Sequence, residues 1–305
     1  MHIFHTPVEG NAHKWIWEKA VDAPFDELIV SWNGFRPAVG FWEFSLSLFQ
    51  NEWSPCLKYA EWGAGRQKTF NTEASFVTAH QDVIRPKNGR CSAFRIEIAA
   101  KEGANLAELH SITAALSDTS LSLNAPFPFL PSTHLSWIPH QSQQILPHQR
   151  CKDLCSPTST SSAINYLLNE KMVNPTIFAE AVRDQQFDIY GNWILNTAAA
   201  YEALQGKYRT YVARAHSFGA VHAQIAKGLP VVLSIKGPLV GSPLAYAHGH
   251  LVLLTGYDHE RQRVHCMDPG FPTDAQTNTS YELGHFLEAW GRRRNLAYLF
   301  ERNCV

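Results

Sequence analysis

Between residues 25 and 116 the chain alternates apolar and polar positions in short runs: ELIVSW, FWEFSLSLF, CLKYAEW, SFVTAHQDVI, AFRIEIAA and HSITAALS. In FWEFSLSLF, Phe44, Leu46 and Leu48 alternate with Ser45 and Ser47, and FRIEIA alternates likewise. A period of two is that of a strand buried on one face, and clusters of Gly, Pro, Asn and Ser separate the runs. The pattern predicts an antiparallel β-sandwich. From 117 to 151 the texture changes to a Pro-, Gln- and His-rich segment with no period, NAPFPFLPSTHLSWIPHQSQQILPHQR, which reads as a connection. The boundary is set at residue 130, giving domains 1–130 and 131–305.

Beyond Cys155 the period shifts toward that of helices. Helices are predicted over 157–168, 176–185, 193–205, 217–227 and 281–290, two of them closed by Gly206 and Gly228. In the first, Ala163, Ile164, Leu167 and Leu168 form one apolar stripe. Strands are predicted at TYVAR, PVVLSI, HLVLLTGY, RVHCMD and LAYLF. With its helices gathered first and its strands later, this half is α+β.

Composition narrows the function classes. A chain of 305 residues suits two domains, and 45% hydrophobic with 17% charged residues marks a foldable protein with a sizeable core. A formal net charge of −1 gives no bulk attraction to nucleic acid or an anionic membrane, and the single basic run, Arg292, Arg293 and Arg294, reads as a solvated face. No stretch approaches the roughly 20 apolar residues of a membrane span. The start, MHIFHTPVEGNAHKW, lacks the layout of a secretory signal, which points to the cytoplasm. Six irregularly spaced cysteines (Cys56, Cys91, Cys151, Cys155, Cys266 and Cys304) read as reduced residues rather than a disulfide framework.

One of them occupies a reactive position. In CSPTSTSSAINYLL, Cys155 stands at a helix start and Pro157 belongs in the first turn, where a missing N–H costs nothing. The unpaired N–H groups and positive dipole end there favour a thiolate, the reactive form of cysteine. A cysteine at such a place is also an ordinary small buried residue, so partners must decide. The strands HLVLLTGY and RVHCMD, joined by the polar DHERQ, form a hairpin that brings His250 and Asp268 to the same end. A histidine beside a carboxylate suits a general base and its orienter, and equally suits a structural strand-end bond. His248 shares a strand face with His250, so direction alone does not separate them.

The segments CSPTSTSSAINYLL, GNWILNTAAAYEAL, GLPVVLSI, GHLVLLTGYD, DPG and YELGHFLEAW, in this order over about residues 138–300, resemble those of bacterial cysteine peptidases of the family thirty-nine type. These are papain-like enzymes related to the double-glycine leader peptidases of bacteriocin exporters. The first half, through ELIVSWNG, also resembles the β-sandwich that precedes the catalytic domain in some members. The resemblance implies a papain-like catalytic domain in which Cys155 is nucleophile, His250 is base through its Gly-His-Leu motif, and Asp268 is orienter. It implies a peptide or protein substrate and no metal or organic cofactor. For the oxyanion donor it offers Gln143, in IPHQSQ, ahead of Gln149, six residues before Cys155. It places Trp193 near the cleft. The family usually has Gly after the cysteine, where this chain has Ser156.

Several features have competing meanings. Cys151, Cys155 and His148 could begin a zinc site, but a structural zinc wants four ligands and no second pair appears. Cys151 could silence Cys155 through a reversible disulfide or be an uninvolved thiol. Trp15, Trp17, Trp32, Trp42, Trp53 and Trp62 could form a sugar-stacking platform on the sandwich, although core packing is the commoner fate. Cys155, His250 and Asp268 could also pass an acyl group to an amine, and the sandwich could act as a binding module beside a silent scaffold.

Overall fold

The computed structural model describes residues 1–5, 13–121, 127, 129–170 and 173–303. Eleven strands precede residue 118: β1 (His2–His5), β2 (Lys14–Phe25), β3 (Glu27–Gly34), β4 (Phe41–Phe49), β5 (Leu57–Gly63), β6 (Arg66–Thr69), β7 (Asn71–Ala74), β8 (Val77–His80), β9 (Val83–Pro86), β10 (Cys91–Lys101) and β11 (Leu109–Ser117). They form two antiparallel sheets, ordered β1-β11-β3-β9-β8-β7 and β2-β10-β4-β5-β6. Side chains from both meet in one core, where Trp32 of β3 stacks on Phe44 of β4 at 4.2 Å and on its other neighbour, Trp62 of β5, edge-on at 5.8 Å.

The second half contributes β12 (Thr133–His134), β13 (Tyr208–Arg214), β14 (Val231–Ile235), β15 (His250–Asp258), β16 (Arg263–Met267), β17 (Asn278–Glu282) and β18 (Leu296–Arg302). These make a third sheet, ordered β13-β18-β14-β15-β16-β17 with β12 on β15. Its helices are α1 (Cys155–Leu168), α2 (Pro175–Val182), α3 (Trp193–Ala203), α4 (Phe218–Ala226), the single turn α5 (Asp274–Thr277) and α6 (Leu283–Gly291). The chain is thus strand-rich and mixed, with several antiparallel sheets. Among the described residues no helix is long and apolar enough to cross a membrane.

Most predicted elements recur within a few residues, and the differences have local causes. SFVTAHQDVI folds as two strands, β8 and β9, turning at Gln81 and Asp82. The left-handed Gln81, at φ 52°, makes that turn. In YELGHFLEAW, Tyr281 and Glu282 complete β17, and the Glu282 carboxylate accepts the N–H groups of Gly284 and His285 to start α6. Strand β2 was absent from the predicted set because only Trp17 and Phe25 of its twelve residues are buried, which leaves no alternation. Helix α1 starts at Cys155, and Ser156–Asn165 are buried on all sides, so its Ser and Thr residues are interior and the single stripe is not seen. Four of the six N-terminal tryptophans, Trp17, Trp32, Trp42 and Trp62, lie in the core, which removes them from any sugar-stacking surface. Part of the predicted connection, residues 122–126 and 128, and Cys304 lie outside the described residues.

Strand β3 joins the halves. All eight of its residues are buried because it has two interior faces. Leu28, Val30 and Trp32 enter the first core, while Glu27, Ser31 and Asn33 alternate toward β13. Strand β13 is the edge of the third sheet, and a buried edge must satisfy its free backbone groups. Asn33 does this in the manner of a peptide: its amide donates to the Thr210 carbonyl at 2.9 Å and its oxygen accepts the Thr210 N–H at 2.7 Å. The Val212 N–H donates to Ser31 at 3.1 Å. Beside them the fully buried Glu27 carboxylate pairs with Arg85 and Arg214. Burial would raise its pKa, but the two guanidinium groups hold it below the usual glutamate range.

Replacing Glu27 with Ala strands the buried Arg214 charge, so Glu27→Ala should lower unfolding free energy by roughly 3–5 kcal/mol. Glu18→Ala, which removes a surface pair with Arg95, should change it by at most about 1 kcal/mol. Urea titration of both variants checks this, and equal midpoints would contradict the role given to Glu27.

Candidate active site

Cys155 is the first residue of α1, and its N-cap, Leu154, has no side-chain acceptor for the helix's free N–H groups. The seating of the helix follows from its small residues. Ser159 donates to the Leu251 carbonyl at 3.0 Å, and Ser156 meets the Tyr298 hydroxyl at 3.0 Å, so the helix lies directly on β15 and β18. Bulkier residues would lift it from the sheet. Cys155 is half-buried, and its thiol bonds to His250. Burial would raise the thiol's pKa; the hydrogen bond and charge of His250, with the N–H groups of Leu251 and Ser156, bring it below the ordinary value.

His250 opens β15 and is 4% exposed. Its Nε2 lies 2.8 Å from Asp268 Oδ1, which leaves Nδ1 for Cys155. The ring is stacked on Tyr246, with centroids 3.9 Å apart and planes 6° from parallel. Gly249, at φ +105°, supplies the backbone turn into the strand. Burial would lower the pKa of His250, but the charge and hydrogen bond of Asp268, and the bond to Cys155, raise it to about 10. Thiol and imidazole are therefore shifted toward a thiolate–imidazolium pair.

Asp268 follows β16 and is fully buried. Its carboxylate receives His250 Nε2, the Gly270 N–H at 2.9 Å, the Tyr246 hydroxyl at 2.8 Å and the Tyr281 hydroxyl. Burial alone would raise its pKa; the charge and bond of His250, then Tyr281 and Gly270, hold it below the usual aspartate value. The two tyrosines were not singled out in the sequence. Tyr246 lies four residues before His250 and Tyr281 thirteen after Asp268 in unremarkable contexts, so neither carries a signal without the fold.

Other predicted residues fall as follows. His248 is exposed and lines the cleft, while it is His250 that contacts Cys155 and Asp268. Gln143 is buried. Its backbone N–H donates to the Pro269 carbonyl at 2.9 Å, and its side-chain amide donates to the Lys152 carbonyl at 2.6 Å and the Cys151 carbonyl at 3.2 Å. Gln149 is exposed. Cys151 and Cys155 are both free thiols, and His148 takes Glu180 as its partner at 3.1 Å. Among the described residues no group of three or more His, Cys, Asp or Glu could hold a metal ion.

Cys155 opens into a cavity of about 940 Å³ that Trp193, Tyr190, His248, Arg293 and Asp82 also line. Asp82 comes from the β8–β9 turn in the first half of the chain. It accepts the N–H groups of Trp193 at 3.1 Å and Ile194 at 3.3 Å at the start of α3. Burial raises its pKa to about 7 against those two bonds.

Asp268→Asn would remove the charge that holds the proton on His250. By imidazole NMR titration, the wild-type imidazolium should persist to a pH of about 10. In Asp268→Asn it should deprotonate at a lower pH, because burial is then opposed only by the bond to Cys155. An unchanged titration would contradict the assignment of cause.

No curated protein and no solved structure matches the chain at a significant level. Residues 136–298, more than half of the chain and the part that carries Cys155, His250 and Asp268, match the model described as the Peptidase_C39 like family. The chain belongs to that family, the C39-type papain-like cysteine peptidases.

Proposed function

We propose that the chain is a cysteine peptidase that cleaves peptide-like amides through Cys155, His250 and Asp268. The observation that carries this reading is the opposed shift of two bonded groups, a thiol held below its ordinary pKa by an imidazole raised to about 10. Such a pair is a nucleophile and a general acid in one contact. The thiolate attacks the scissile carbonyl. The imidazolium then protonates the leaving amine as the C–N bond breaks, and a thioester remains. Neutral His250 next takes a proton from water, the hydroxide oxygen displaces the Cys155 thiolate, and the free acid leaves with the thiolate–imidazolium pair restored. Asp268 fixes the ring and stabilises its charged form.

The backbone N–H of Cys155 at the uncapped start of α1 supports the oxyanion. Gln143 is the second donor in this reading, after its amide turns from the Lys152 carbonyl to the substrate. In the same reading the chain has two domains, a β-sandwich over 1–130 and a catalytic domain over 131–305.

Incubating the protein with a mixed peptide library and reading new termini by mass spectrometry tests the proposal. Wild type should release free acids, whereas a new amide would assign transfer to an amine instead. Cys155→Ala and His250→Ala should each lose roughly a thousandfold or more in rate. Cleavage that persists in Cys155→Ala would overturn the reading.

A further inference from the structure

Arg293 is a charged group in the cleft that the proposed mechanism does not use. It follows the C-terminal end of α6, and its guanidinium lies over Gly249, with Cζ 3.5 Å from where a β-carbon would stand. On its other side is Trp193, with Cζ 5.5 Å from the ring centroid. Nε donates to Ser234 at 3.1 Å, and neither terminal nitrogen has an acceptor among the described residues. Among the described residues no carboxylate is in ion-pair contact with it, and Asp82 acts on its charge only at longer range. Arg85 and Arg150 line the same cavity and are both engaged, with Glu27 and with Asp153 and Asp188. Asp82, the buried acid of the cavity, accepts both N–H groups at the start of α3 through Oδ1 and does not contact the guanidinium.

A half-buried guanidinium with no acid in direct contact is uncommon, because charge removed from water is normally paired. Burial pulls its pKa down, as expected for such a charge. Its planar fork has two open N–H edges on a cavity that also holds the Cys155 thiol, and that geometry fits a carboxylate. Resting on the peptidase reading above, we infer that Arg293 selects substrates carrying a carboxylate close to the scissile carbonyl, with its two terminal nitrogens as the docking fork. Lys152, exposed on the same cavity and without an acidic partner among the described residues, adds to the attraction. The carboxylate can come from a chain terminus or from an acidic side chain.

Three bromoacetyl probes separate these sources: N-bromoacetyl-glycine carries a terminal carboxylate, N-bromoacetyl-glutamic acid α-amide a side-chain carboxylate, and N-bromoacetyl-glutaminamide none. The rate of Cys155 alkylation by each is measured by peptide mass spectrometry in wild type, Arg293→Gln and Arg293→Lys. Comparing acid with neutral probe within one variant cancels any change in thiolate fraction. At least one acid should react about tenfold faster than the neutral probe in wild type. The ratio should fall to near one in Arg293→Gln and survive in part in Arg293→Lys, and the faster acid names the source. Two acids no faster than the neutral probe, or a ratio that Arg293→Gln leaves intact, would overturn the inference. If no probe labels Cys155 faster than Cys151, the nucleophile has failed, and the carboxylate site is then read by calorimetry on Cys155→Ser. There N-acetyl-glycine and N-acetyl-glutamic acid α-amide are compared with N-acetyl-glutaminamide; tighter binding of an acid that requires Arg293 sustains the site, and equal binding overturns it.

Discussion

A fully buried carboxylate, Asp268, is the constraint on which the site depends. Asp268 can stay ionised there only while donors meet it from several sides. They come from four places: the loop before β15 (Tyr246), β15 itself (His250), the turn after β16 (Gly270) and β17 (Tyr281). Tyr246 serves twice, since its hydroxyl bonds the carboxylate and its ring covers the face of His250. Held at Nε2 and across its face, the imidazole has one free direction, and it points at the start of α1.

The other side of the contact depends on steric economy. The Ser and Thr residues of α1 are buried and small, which allows the helix to rest on β15 and brings Cys155 against His250. The first half of the chain is also part of this arrangement. Its Asp82 holds the start of α3, Thr69 bonds the Asn192 side chain just before it, and Asn33 closes the edge of the third sheet. The cleft wall at Trp193 is therefore held by residues more than a hundred positions away.

The legible and illegible parts of the sequence divide along physical lines. Local periodicity located β3, β4, β5, β10 and β11 and, in the third sheet, β13, β14, β15, β16 and β18, because each has a continuous apolar face. Strand β2 and the short β1, β6, β7, β12 and β17 lack one. The hairpin argument brought His250 and Asp268 to one end, since strand direction and a short turn are local facts. What local pattern does not contain is the convergence of distant residues. Tyr246, Tyr281, Asp82 and Arg293 take their meaning from sheet order and from contacts between the halves. The interior Ser and Thr residues of α1 read as a polar face, because burial of hydroxyls depends on acceptors such as the Leu251 carbonyl that only the assembled sheet supplies.

The central claim is that Cys155 is a thiolate because of His250. Its most direct test is the rate of alkylation of each cysteine by neutral iodoacetamide as a function of pH, read by peptide mass spectrometry on the native protein and on His250→Ala. The account predicts that Cys155 in the native protein reacts rapidly at a pH where an ordinary thiol is still protonated. In the variant it should titrate above an ordinary thiol, because burial raises its pKa once the imidazolium is gone. A wild-type Cys155 no faster than Cys151, or one that titrates near the unperturbed value of about 8.5 with and without His250, would contradict it.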